Sequence, residues 1–293
     1  RELRKAGADV WYGVLGSGAV VEGDRVKGVI VATPERRGVV LAKVVIDSTG
    51  NSDIAAAAGA QCILSDGTHV AVQGAGLPPR KPGTSYTNTD YMLTKDADMI
   101  DMWRAFVGAK ERFRDAYDLA QLIDTRERRR IIGEFVISPL DVYNGRTSPD
   151  TVGLSYSNFD THGYTIAPYF LLEHPEKKGI TVSIPFRAML PKGLEGIIVT
   201  GLSISAHRDA VPLIRMQADI QNGGYAAGVA SAMASYAETT VRTIDLRRLQ
   251  EHLIEIENLT ASVLEDKDSY PLSDAALAEA VQTLPDGKGA ATL

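Results

Sequence analysis

The chain has 293 residues, 44% of them hydrophobic, with 31 basic and 37 acidic side chains and a net charge of −6. That length holds one large or two ordinary domains around a sizeable core, and the acidic balance excludes a nucleic-acid surface as the main role while leaving room for a local basic pocket. A single cysteine, Cys62, excludes an internal disulfide framework and a Cys-rich zinc site.

Residues 1–9 read as the end of an amphipathic helix closed by Gly7, entered in mid-helix at Arg1. The natural start is expected to lie further upstream, so the compartment is left unassigned. Two Val- and Ile-rich runs follow, DVWYGVLGSGAVVEGDRVKGVIVAT and GVVLAKVVIDSTG, with turn signals at Gly23-Asp24 and Glu35-Arg36-Arg37-Gly38. They predict an antiparallel meander of three or four strands, with Lys43–Asp47 leading back into a larger sheet. Ile54–Gly59 is a short helix of small residues.

Residues 64–90 are polar and turn-rich. A helix is expected at about 91–109, where Met92, Met99, Met102, Trp103 and Phe106 recur at helical spacing and read as core or a partner-facing stripe. Another is expected at 116–123, and RERRRIIGEFVIS reads as a strand. Residues 152–188 hold short strands and aromatic-rich loops, including His162, Tyr164 and Tyr169, which suit a substrate cover. GLEGIIVTGLSIS predicts a buried strand at Gly196–Thr200 ending in a glycine turn, and IRMQADIQNGGYAAGVASAMASYAET a helix with an Ala/Gly inner face. The last 50 residues read as helical and charged. No run reaches the roughly 20 apolar residues of a membrane helix, and no membrane partner is expected.

A strand, a glycine turn and a small-residue helix therefore occur twice, at Val45–Gln61 and again from Gly196 onward. Glycine lets backbone approach a ligand closely, and a helix N-terminus offers free N–H groups and partial positive charge to a phosphate. The alternative is that these are turns followed by tightly packed helices. Two such units around a polar insertion suggest one sheet interrupted by a second domain.

These stretches, with the Arg-rich strand Arg126–Gly133 between them, resemble the FAD-dependent oxidoreductase family with a glutathione-reductase-type flavin fold. Members of that family often carry a xanthan-lyase label. Its GxGxxG fingerprint does not occur in the chain: GVLGSG, Gly13–Gly18, sits between strands rather than before a helix. The resemblance thus lacks the N-terminal part. It implies an α/β fold: a partial FAD/NAD(P)-binding domain with a β-meander and an inserted mixed α/β substrate domain. Segments 1–72 and 191–240 would form the FAD-binding part, 73–190 the insertion and 241–293 a helical extension.

The resemblance also implies site residues. Thr49, Gly50, Gly201, Leu202 and Ser203 would lie along the cofactor, and Gln221, Asn222, Gly223 and Gly224, read as the start of a helix, would face the flavin ring. His207 and Arg208 are the catalytic candidates, a proton carrier and an anion grip; the plainer reading is a backbone cap and a surface ion pair. Arg126, Arg128 and Arg130 share one face of a strand and either line a pocket for an acidic substrate or meet solvent. Ser205, His207 and Asp209 are too close in sequence for a hydrolase triad, whose members usually come from separated loops. The five histidines show no metal-ligand spacing. The expected activity of the whole protein is FAD-dependent hydride removal from a small polar substrate. A non-catalytic fragment packed on a partner chain or supplemented by a missing N-terminal segment, a homo-oligomer and a polysaccharide lyase stay open.

Overall fold

The computed structural model describes residues 1–67, 72–73, 90–112, 129–172, 179–269 and 272–286. Helix α1 (Glu2–Lys5) precedes a three-stranded antiparallel meander, β1 (Leu15–Glu22), β2 (Arg25–Ala32) and β3 (Arg37–Leu41). The second turn falls at Thr33–Arg36, earlier than its Glu35–Gly38 signal, because the Thr33 hydroxyl and amide close on Arg36. Arg37 and Gly38 already belong to β3. The GVLGSG stretch enters β1, and a Cβ on Gly16 would lie 2.8 Å from Ile54 Cδ1. This glycine is small because a helix packs on it, not because a phosphate does.

The chain then forms β4 (Val45–Asp47), α2 (Asp53–Ala57), β5 (Cys62–Leu64), β6 (Val72–Gln73) and β7 (Asp90–Tyr91). Helix α3 spans Met99–Arg112 rather than 91–109. Asp98 sets its start: one carboxylate oxygen accepts the Ile100 and Asp101 amides at 2.8 and 3.2 Å. Met99 and Trp103 are 81% and 63% exposed, so the stripe is not core. The helix expected at 116–123 and the loop after Gln73 lie outside the described residues.

Among the described residues the Arg-rich stretch forms β8 (Arg129–Ile131), antiparallel to β5, and isolated bridges at Gly133 and Ile137 continue the extended path. Next come α4 (Pro139–Tyr143), β9 (Thr151–Ser157), α5 (Tyr169–Leu172), β10 (Ile180–Pro185) and β11 (Ile197–Val199). Strands β9 and β10 form an antiparallel pair. Tyr169 packs its ring with those of Tyr143 and Phe170 and is a structural aromatic.

Strand β11 pairs with β4 in parallel, Ile197 with Val45 and Val199 with Asp47. Alternation across the strand buries Ile197 and Val199 in a cluster with Val26, Ile54 and Ile131. Ile198 joins the larger core on the opposite face, with Val152, Val182, Ala226 and Leu249. An all-apolar strand buried on both faces is what a parallel sheet requires. The larger core is completed by α6 (Val211–Ile214), α7 (Gln217–Tyr236) and α8 (Leu246–Glu255), and α9 (Asp274–Thr283) follows. Ala226, Ala227, Ala230 and Ala234 form the buried stripe of α7, whereas Gly228 faces solvent. Val152 of β9 and Val182 of β10 thus share a core with α7. Among the described residues no helix is long and apolar enough to cross a membrane.

Candidate functional site

Because β4 and β11 run parallel and in register, their C-terminal ends deliver two turns to one edge of the sheet. Ser48 Oγ lies 3.0 Å from Thr200 Oγ1, and Ser52 Oγ donates to the Ser203 carbonyl at 3.2 Å. The crevice outside the carboxyl ends of parallel strands is where open α/β sheets take their ligands.

The first turn is closed from within. Asp47, 1% exposed, accepts the Thr49 amide and hydroxyl on Oδ1 and the Ile54 and Ala55 amides on Oδ2, all within 2.7–3.0 Å. Thr49 Oγ1 accepts the Asp53 amide at 2.9 Å. The first-turn amides of α2 are therefore consumed, which corrects the expectation that this helix offers them to a phosphate. Asp47 is also the residue that sequence reasoning missed; the Asp before Ser-Thr-Gly was its only signal. Gly50, at φ +82°, and Ser52, at φ +52°, take the left-handed conformation that bends the chain back under this carboxylate.

The second turn is open. Gly201, at φ +78°, turns the chain out of β11 into Leu202 and Ser203. Ser203 is fully buried and its Oγ has no protein partner; neither does Asn51 Oδ1 in the neighbouring turn. Such orphaned polar atoms call for an explanation, and a ligand is one.

Helix α7 begins at Gln217, so Gln221, Asn222, Gly223 and Gly224 sit in its second turn, not at its start. Their amides point at carbonyls four residues back. The uncapped amides belong to Gln217, Ala218 and Asp219. Asp219 turns its carboxylate onto Ser155 Oγ, 2.5 Å, and the Tyr156 amide, 3.3 Å. A cavity of about 30 Å³ lies between Gly201, Ile220 and Gly223 on one side and Leu154 and Ile184 on the other, enough for roughly one water.

Beyond the second turn, Ser205 and His207 follow an extended path. Ser205 is fully buried and its Oγ accepts the Gly133 amide at 2.9 Å. The Asp209 amide, not its carboxylate, donates to His207 Nδ1 at 3.1 Å. A buried, occupied hydroxyl and a misdirected carboxylate remove the hydrolase reading. The same bond puts the proton of the neutral His207 ring on Nε2. Burial holds the His207 pKa below its ordinary value; Asp209 opposes this, and Arg130 and Arg208 reinforce it.

Arg208 is 2% exposed and pairs with Asp209 Oδ1 at 2.7 Å, so its ion pair lies inside the protein and not at the surface. Arg130 is likewise buried, donating to the Ala206 carbonyl at 2.9 Å and to Ser65 Oγ at 3.1 Å. Arg129 points the other way, 3.4 Å from Asp53. Arg126 and Arg128 lie outside the described residues. Burial pushes the Cys62 thiol up from its ordinary pKa, with Arg129 opposing, so it is no ready thiolate. No group of three or more metal-ligating side chains gathers among the described residues.

A family model described as FAD dependent oxidoreductase matches residues 1–73 and 86–253. The chain belongs to that family. No curated protein and no solved structure matches it. Ser203 Oγ and Asn51 Oδ1, buried and unmatched, fit the polar part of a nucleotide cofactor. The capped end of α2 does not.

Proposed function

We propose that this chain carries one side of an FAD site of the glutathione-reductase type and serves hydride transfer from a small polar substrate. The observation that carries the reading is the buried Ser203 hydroxyl without a partner, at a glycine turn on a parallel strand of a family member. FAD, when bound, supplies the hydride acceptor. Gly201–Ser203 would hold its polar chain, and Thr49 and Gly50 would lie along the neighbouring turn. The first turn of α7 would lend partial positive charge through the Gln217 and Ala218 amides, and Gly223 and Gly224 would offer a smooth wall rather than donors. His207 Nε2 would hold or pass the substrate proton.

Val45 and Asp47 spend their backbone groups on β11, so those of Ile46 face the outer edge of β4. Ile46 is 36% exposed. We propose that this edge receives a further strand from a segment or partner chain carrying the absent fingerprint. Segments 1–72 and 191–240 would then form the cofactor side and 73–190 the substrate side, with 241–293 as buttress.

The test is the visible spectrum of the purified chain before and after adding FAD. Flavin bands that survive desalting, and that weaken in Ser203→Val, support the site. No bands, even when a GxGxxG-bearing segment is supplied in trans, would sink it. Bands only with that segment would assign the shortfall to the β4 edge.

A further inference from the structure

The loop Thr161–Ala167 and His207 are tied through one buried ion pair. Arg208 Nη1 donates to Thr161 Oγ1 at 3.2 Å as well as to Asp209, and Nη2 reaches the His162 carbonyl at 3.4 Å. The other oxygen of Asp209 accepts the Ile166 and Ala167 amides, both at 2.7 Å. The backbone of the same Asp209 fixes the His207 ring. The loop is pinned again where His162 Nδ1 meets Asp90 at 2.7 Å and where Arg215 holds the Asp160 carbonyl at 2.6 Å. Between these pins Tyr164 and Ile166 stay 50% and 42% exposed.

The cations facing His207 are thus engaged inside the protein. Arg208 keeps only its Nε without a partner, and that atom is buried. Arg130 is buried against Ala206 and Ser65. No described guanidinium in this region presents a free pair of N–H groups to a carboxylate, and the ring N–H of His207 is a neutral donor beside them.

We propose that the substrate side of this site takes an uncharged, hydrogen-bond-accepting group presented to His207 Nε2–H, with Arg208 and Asp209 as positioning residues that hold His207 and the 161–167 loop in one body. This rests on the reading of His207 as substrate-facing, but its test needs neither FAD nor turnover. In nitrogen-resolved NMR, with His207→Gln assigning the ring, acetamide should shift the His207 Nε2–H resonance and isosteric acetate should not. A larger shift with acetate, or none with either probe, overturns the uncharged class.

Replacing the pair together, Arg208→Met with Asp209→Leu, avoids leaving one buried charge alone. The Ile166 and Ala167 amides should then exchange roughly ten- to a hundredfold faster, as the loss of hydrogen bonds to a charged group implies. The Ile198 and Val199 amides should stay protected and the His207 ring should lose its single tautomer. If that variant does not fold, Thr161→Val carries the test through a smaller acceleration at the same two amides. Unchanged loop exchange in a folded variant overturns the positioning role. Loss of flavin bands with these responses intact would instead fault the cofactor reading.

Discussion

After β4 the chain passes through Ser48–Ser52 and closes almost every amide it opens; after β11 it passes through Thr200–Ser203 and leaves a buried hydroxyl unmatched. Both turns follow a parallel strand and contain a left-handed glycine. The difference is one carboxylate. Asp47 is buried at the end of β4 and satisfies the turn and the helix at once, whereas the matching position in β11 is Val199. A turn whose donors are consumed serves as scaffold. A turn with unmatched polar atoms is the better candidate for contact with a ligand.

The largest expected effect comes from opening the closed turn. Asp47→Ala removes the acceptor of three amides and one hydroxyl in a buried place. Loss of a cap and of hydrogen bonds to a charged group should cost about 3 kcal/mol or more, read as a lower urea midpoint. An unchanged midpoint would mean that water replaces the carboxylate freely and that the two turns do not differ as argued.

That carboxylate also marks where sequence reading stopped. The meander was legible because period-two Val and Ile runs bracket glycine turns. The strands Val45–Asp47 and Ile197–Val199 were legible as elements, but their pairing spans about 150 residues and no local pattern carries it. Whether Asp47 turns inward to cap a helix or outward to a ligand is decided by tertiary packing. The helix starts failed for physical reasons too. Met92 continues the apparent periodicity of α3, yet the Asp98 cap fixes the start later. No Ser, Thr, Asp or Asn precedes Gln217, so the Gly223–Gly224 pair looked like a beginning when it is only tolerated inside α7. Arg130 reads as pocket lining or solvated charge, and Arg208 as an anion grip or a surface ion pair, because sequence shows the charge and hides its partners.

The two left-handed glycines give a smaller and sharper comparison. A Cβ at Gly50 would meet nothing within 4 Å, and one at Gly201 would touch only Ile220 Cγ2 at 3.7 Å. Gly50→Ala and Gly201→Ala should therefore cost a similar 1–2 kcal/mol or so, the price of a left-handed L-residue. FAD affinity should fall further for Gly201→Ala, because that turn carries the fully buried, unmatched Ser203 hydroxyl and has no carboxylate like Asp47 to close it. Equal losses of affinity would remove the distinction between closed and open turn. Ser203→Ala goes further, since it deletes a hydroxyl that gains nothing in the free protein. Stability should hold or rise by up to about 1 kcal/mol while FAD binding weakens; a clear loss of stability would show that the hydroxyl already has a partner.

The smallest effect is a pH dependence at the far end of the open turn. His207 has its folded pKa lowered, chiefly by burial, with Arg130 and Arg208 adding and Asp209 opposing. The unfolded chain then binds the proton more readily than the folded one. This contribution to stability is fully present above the unfolded value of about 6.5 and is lost as pH falls through the lower folded value. Urea unfolding of the wild type and of His207→Gln between those limits isolates it: the wild type should lose stability on acidification more steeply than the variant. Parallel curves would mean that the ring takes up its proton without penalty. It would then be a charged group in the mildly acidic range, and the open turn would end in a cation suited to an anion, not in a neutral donor.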